Sequence, residues 1–174
     1  MAAARTQGGA VVVILAKIGI VLATVVAMEA FAWWVHKYVM HSRWGWGWHE
    51  SHHSHTEGPF ERNDLYAVVF SFLSAGLFVA GMLGAWPLWY VGLGLVVYGL
   101  LYAFVHDGLV HQRWPFEYMP RSGYLHRLVL AHRMHHHVTD REDGVSFGFL
   151  YAENPEKLKA TLKARRARRR ADAA

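Results

Sequence analysis

The 174-residue chain contains no cysteine. That excludes a disulfide framework, thiolate metal ligands, iron–sulfur clusters and a cysteine nucleophile, and leaves the redox compartment open. No H-E-x-x-H motif occurs, and His49-Glu50-Ser51-His52 has the wrong spacing, which argues against a zinc-dependent membrane hydrolase. Charge is scarce and uneven: charged types make up 18%, long blocks hold none, and the remainder leaves a formal net charge of +5. Aromatics are not scarce. Eight Trp, eight Tyr and nine Phe exclude intrinsic disorder. The excess lies in histidine, 13 in all. The length suits a single domain, 1–174, whose last residues from about 152 form a basic tail.

Three stretches are apolar for long enough to span a bilayer. They are about Ala10–Val35, broken only by Lys17 and Glu29, then Leu65–Ala85 and Leu88–Val105, which carry no charge. Each is near the roughly 20 residues a helix needs to cross about 30 Å of hydrocarbon. Trp86-Pro87 predicts a tight break, and so a hairpin. The rest of the chain is too polar to cover two helices that are apolar on every side, so a soluble core hairpin is disfavoured. Only Arg5 precedes the first block, which is far longer than the about 7–15 residues of a signal core; a cleavable signal is not expected. The expected fold is all-α, an integral membrane bundle of three or more transmembrane helices. Lys37, Arg43, Arg62, Arg113, Arg121, Arg127, Arg133, Arg141 and the tail all fall on one side of it, against Arg5 on the other. The positive-inside rule makes the first side cytoplasmic.

Four histidine groups lie on that side: His36 with His41; His49, His52 and His53; His106 with His111; and His132, His135 and His136. Neutral imidazole is the commonest metal ligand. At about 100° per residue, each H-x-x-H-H triplet falls within one sector of a helix and can present its imidazoles to one small volume. The pairs spaced by five diverge by about 140° on an ideal helix, so they are expected to flank two ions or to sit on unwound helix ends. Ten histidines are too many for one ion and suit two. Along 123–137, Leu125, Leu128, Val129, His132, His135 and His136 share a stripe. His126 and His137 leave that stripe, and His55 leaves the face of His49, so these three are excluded as ligands. Spacing does not identify the metal. A metal transporter would hold ligands near the bilayer midplane, whereas these lie at span ends.

Around these residues the chain resembles the bacterial beta-carotene hydroxylases, within the membrane fatty acid hydroxylase and sterol desaturase superfamily. The likeness rests on Met28-Glu29, His36 to His41, Trp44 to His49, Asn63 to Val68, His106 to Phe116, His132 to His136 and Val145 to Tyr151. The histidine groups indicate the superfamily, and His106 to Phe116 narrows it to carotenoid ring hydroxylation. The resemblance implies a non-haem di-iron monooxygenase with two Fe2+ ions and O2 as co-substrate. It also implies a ferredoxin-type electron donor, a bacterial inner-membrane location with the metal site on the cytoplasmic side, and conversion of beta-carotene to zeaxanthin by way of beta-cryptoxanthin. A carotenoid ketolase or a lipid desaturase shares the metal logic and differs in the carbon attacked.

Glu29, Glu50, Asp64 and Asp107 are candidate helpers: Glu29 is expected either to pair with another helix or to act near the metal, and Asp107 and Glu50 to orient an imidazole through its second nitrogen, while no carboxylate is expected as a ligand. Gly92, Gly94 and Gly99 suit close helix packing. Trp44, Trp46 and Trp48 read as interfacial anchors. The tail helix expected from Asn154 is rich in Lys and Arg but lacks stacking aromatics, so it suits anionic lipid rather than nucleic acid.

Overall fold

The charge-free runs become helices whose ends fall where polarity returns. The computed structural model describes residues 2–54, 58, 60–115 and 117–173, with side chains from Gly8 onward, so His55 lies outside the described residues. Helix α1 covers Ala2–Val35, α2 Trp46–His53, α3 Asp64–Met82, α4 Leu88–Tyr102, α5 Gly123–His136 and α6 Pro155–Asp172. Two π turns, His36–Met40 and Ala103–Val110, continue α1 and α4 directly. Among the described residues, three helical stretches are long and apolar enough to cross a membrane: Gly8–Met40, Asp64–Met82 and Leu88–Val110. The third outruns the expected limit at Val105 because the π turn extends it. The chain divides into two units, Met1–Met28 with Tyr66–Leu100, and Glu29–Leu65 with Leu101–Ala174.

In the first unit, small residues let backbones approach. A Cβ on Gly92 would lie 3.2 Å from the Ser74 carbonyl oxygen, and one on Gly94 only 2.5 Å from the Thr24 Cβ. Ser74 is buried and its hydroxyl donates to the Gly92 carbonyl at 3.0 Å, a polar tie between α3 and α4. Gly99 faces open space, so the expected packing role holds for two of the three glycines. Lys17 has its ammonium 5.3 Å from the Tyr90 ring centroid, a partner for the cation inside the first apolar stretch. Large apolar side chains such as Leu15, Val26 and Phe72 stay more than half exposed, as fits helices whose solvent is lipid.

The second unit carries the shorter elements. Val105, Leu128, Ala131, Val145, Ala152 and Leu158 form a buried core. Leu109, Val110 and Val129 form another beside it. Helix α6 starts as expected, with Asn154 accepting the Glu156 N–H at 2.9 Å and Pro155 filling the first turn. Asp64 opens α3; it accepts the Glu61 N–H and holds the Arg113 guanidinium at 3.0 and 2.8 Å.

Candidate metal centre

All ten predicted histidines come together in the second unit, and most are buried. They form two sets. One contains His36, His41, His49, His53 and His135, and the other His52, His106, His111 and His132. His136 joins the second set, its Nε2 2.9 Å from that of His132. His126 turns instead to the Pro120 carbonyl, and His137 is exposed.

The sorting decides between two expectations for the five-spaced pairs and corrects one for the triplets. The pairs sit on widened helix ends instead of flanking two ions: His36 and His41 share one set, and His106 and His111 share the other. The reason is local. His41 N–H reaches the His36 carbonyl at 3.1 Å, and His111 N–H the His106 carbonyl at 3.0 Å, so each pair closes one wide π turn that stacks i over i+5. Nor do the triplets serve one volume each. His49 and His53, one α turn apart, enter the first set, while His52 crosses to the second. Likewise His132 and His136 enter the second, while His135 crosses to the first. Each set thus draws a π pair, an α pair and one histidine lent from the other's helix.

The far side of each ring decides what the near side offers. Nδ1 of His36, His41, His53 and His135 lies 2.9, 2.9, 2.9 and 2.8 Å from the carbonyl oxygens of Phe147, Arg141, Val138 and Val145. Nδ1 of His49 meets Asn63 Oδ1 at 2.8 Å, that of His52 meets Glu61 Oε2 at 2.7 Å, and that of His106 meets Asp107 Oδ1 at 2.8 Å. These oxygens only accept, so the seven rings carry their protons on Nδ1 and present bare lone pairs at Nε2. Yet the bare nitrogens face one another: His36 and His49 at 3.0 Å, His41 and His135 at 3.2 Å, His53 and His135 at 3.1 Å, His52 and His106 at 2.9 Å. With no proton to share, such contacts repel unless a cation lies among them.

The distances also speak to the kind of ion. Two nitrogens about 2.1 Å from one metal sit about 3.0 Å apart at a right angle and about 3.4 Å apart at the tetrahedral angle. In the first set His49, His41, His135 and His53 close a four-membered ring with sides of 3.2, 3.2, 3.1 and 3.1 Å, and His36 joins it at His49. That is a five-nitrogen arrangement with near-right angles, one donor more than a four-coordinate structural zinc site takes. Burial keeps the donors neutral. It holds His53 down to about 4 and His136 down to about 3, with neighbouring imidazoles adding to the effect, and it lowers His52, His132 and His135 in the same way; burial alone lowers His41.

The carboxylates divide differently from expectation. Asp107 does orient an imidazole, but Glu50 is exposed and the carboxylate on His52 belongs to Glu61. Asp64 acts one step back, through Arg113, which also lies 3.6 Å from Asp107. Glu29 Oε1 accepts the N–H groups of Phe149, Leu150 and Tyr151 at 3.0, 3.0 and 2.9 Å. It thereby fixes Phe149, whose ring stacks on His36 at 5.1 Å and meets His106 at 5.4 Å, touching both sets. Tyr102 stacks on His106 at 4.5 Å. Trp46 packs on His41 and His53, each at 5.4 Å, and Trp44 is exposed. Glu61, Asn63 and the four carbonyls escaped the sequence reading. Asn63, Val145 and Phe147 left a trace there only as parts of the Asn63 to Val68 and Val145 to Tyr151 likenesses. An open polar cavity of about 690 Å³, lined among others by His52, His53, His111, His136, Glu61 and Arg133, reaches both sets from solvent.

Residues 21–152 match the fatty acid hydroxylase family. The chain is 61% identical over 146 residues to a beta-carotene hydroxylase of Pantoea ananas, covering 84% of this chain and 83% of that one. It is 56% identical over 149 residues to a beta-carotene hydroxylase of Pseudescherichia vulneris, covering 86% and 84%. A chloroplastic beta-carotene 3-hydroxylase of Arabidopsis thaliana is 42% identical over 128 residues, which is 71% of this chain and 40% of the plant protein. No solved structure matches. The chain belongs to the fatty acid hydroxylase family, alongside the bacterial beta-carotene hydroxylases.

Proposed function

We propose that this chain is an O2-dependent di-iron beta-carotene 3-hydroxylase. It acts on carbon 3 of the beta-ionone ring and yields zeaxanthin by way of beta-cryptoxanthin. The observation that carries the metal reading is the facing of bare Nε2 lone pairs across both histidine sets. The substrate reading rests on the names of the relatives.

Each turnover takes ring C–H, O2, two electrons and two protons to C–OH and one water. Two Fe2+ ions, when bound, supply the O2 chemistry that no side chain can perform. His36, His41, His49, His53 and His135 hold one, and His52, His106, His111, His132 and His136 the other. The Nδ1 partners fix the proton and direction of seven of the ten rings, so those lone pairs are set before metal arrives. Phe147, Phe149 and Tyr102 line the imidazoles with apolar surface and keep water from their faces. Electrons come from a ferredoxin-type donor, on the cytoplasmic side of a bacterial inner membrane. Expression in a bacterium that makes beta-carotene tests the reaction. Zeaxanthin with transient cryptoxanthin is expected, and canthaxanthin as the product would overturn the assignment in favour of a ketolase.

A further inference from the structure

Helix α6 reads in sequence as a solvated basic tail, but one line of it is not solvated. Leu158, Leu162, Arg165 and Arg169 recur at spacings of four, three and four, which at about 100° per residue keeps them on a single face. Leu158 is buried in the core that contains Val145, and Leu162 packs against that core. One turn on, Arg165 Nη1 donates to the carbonyls of Asp143 at 2.5 Å and Gly144 at 3.0 Å. Arg169 bonds the carboxylates of Asp143 at 2.6 Å and Asp140 at 2.7 Å. The whole face therefore grips residues 140–145.

That segment has no helix or strand of its own, and Asp143 sits at a left-handed φ of 68°. Yet it and its neighbour Val138 supply the carbonyls that orient three imidazoles of the first set: Val138 for His53, Arg141 for His41 and Val145 for His135. In the second set, His52 and His106 take their oxygens from Glu61 and Asp107, which lie outside it.

We propose that α6 is a positioning element for the five-histidine set, with Arg165 and Arg169 holding the 140–145 backbone so that its carbonyls aim His41 and His135, and through the adjoining Val138 also His53. This rests on the reading of that set as a metal site. Arg165, half-buried and bonded to two carbonyls, carries more of the effect than Arg169, whose ion pairs are half exposed and screened. Arginine suits the task because its rigid fork keeps several donors at fixed angles; lysine offers one mobile point charge.

The test uses the full chain in detergent, loaded anaerobically with Fe2+, and follows release of iron to a colorimetric chelator. The wild type is expected to hold two ions. Arg165→Met with Arg169→Met retains Leu158 and Leu162, so α6 stays docked, which circular dichroism and a melting curve check. In this variant one ion is expected to leave about ten-fold faster or more while the other leaves at the wild-type rate. Arg169→Lys alone should restore most of the difference in an Arg165 background. Two ions leaving the variant at wild-type rates would overturn the positioning role, as would equal loss of both ions with loss of helicity. A wild-type chain that takes up no pair of ions would overturn the metal reading itself, which is a separate failure.

Discussion

An imidazole offers a metal only what its other nitrogen leaves free, and here two kinds of acceptor make two kinds of ligand. The first set hangs on four carbonyls and one amide oxygen, while the second includes two rings backed by carboxylates, Glu61 and Asp107. A carboxylate raises the basicity of the imidazole it holds. Glu61→Gln and Asp107→Asn should therefore each lower affinity at the second set by about 10–100-fold and spare the first. Competition with a metal-sensing dye checks this, and equal weakening of both ions would count against it. Ten histidines stand out in the sequence, and the same ten converge. Their allotment was not legible. Glu61 lies nine residues beyond His52 across a loop, and a backbone carbonyl has no signature, because every residue carries one.

At the scale of elements, the spans could be read from hydropathy to within a few residues, and α5 and α6 from their caps and stripes. The π turns could not. Spacing of five looks divergent only on the assumption of 3.6 residues per turn, and the i→i+5 bonds at His41 and His111 remove that assumption. Glu29 shows a second thing composition conceals. A carboxylate inside a span looks like a partner for a cation or a metal ligand, yet it collects three N–H groups from residues 149–151. Gly148 is part of the same fitting, because a Cβ there would lie 2.5 Å from the Tyr151 carbonyl oxygen and 2.9 Å from Glu29 Oε1. Glu29→Gln keeps an acceptor and should be mild. Glu29→Ala leaves three donors unmatched, at about 1–3 kcal/mol for each that stays buried. It should free Phe149 and lower the melting temperature by several degrees, measurable by differential scanning fluorimetry in detergent. An unchanged melt for the alanine variant would refute the role.

For the molecule as a whole, three apolar stretches and a one-sided distribution of cations set how it lies in a membrane. The absence of cysteine makes this simple to test, because any thiol introduced is the sole one. A cysteine at Trp86 should react with a membrane-impermeant maleimide added outside intact cells, and one at Ala160 should react only after the membrane is opened. The reverse pattern would place the histidines outside the cytoplasm.

The open cavity over His52, His53, His111 and His136 gives the aqueous phase its own way to the histidines. On the proposed function, iron need not be captured while the chain is being inserted; it can arrive afterwards, through water, at a pocket already built and already neutral. A cell starved of iron would then stockpile finished, colourless protein and begin making pigment within moments of resupply, with no new synthesis required.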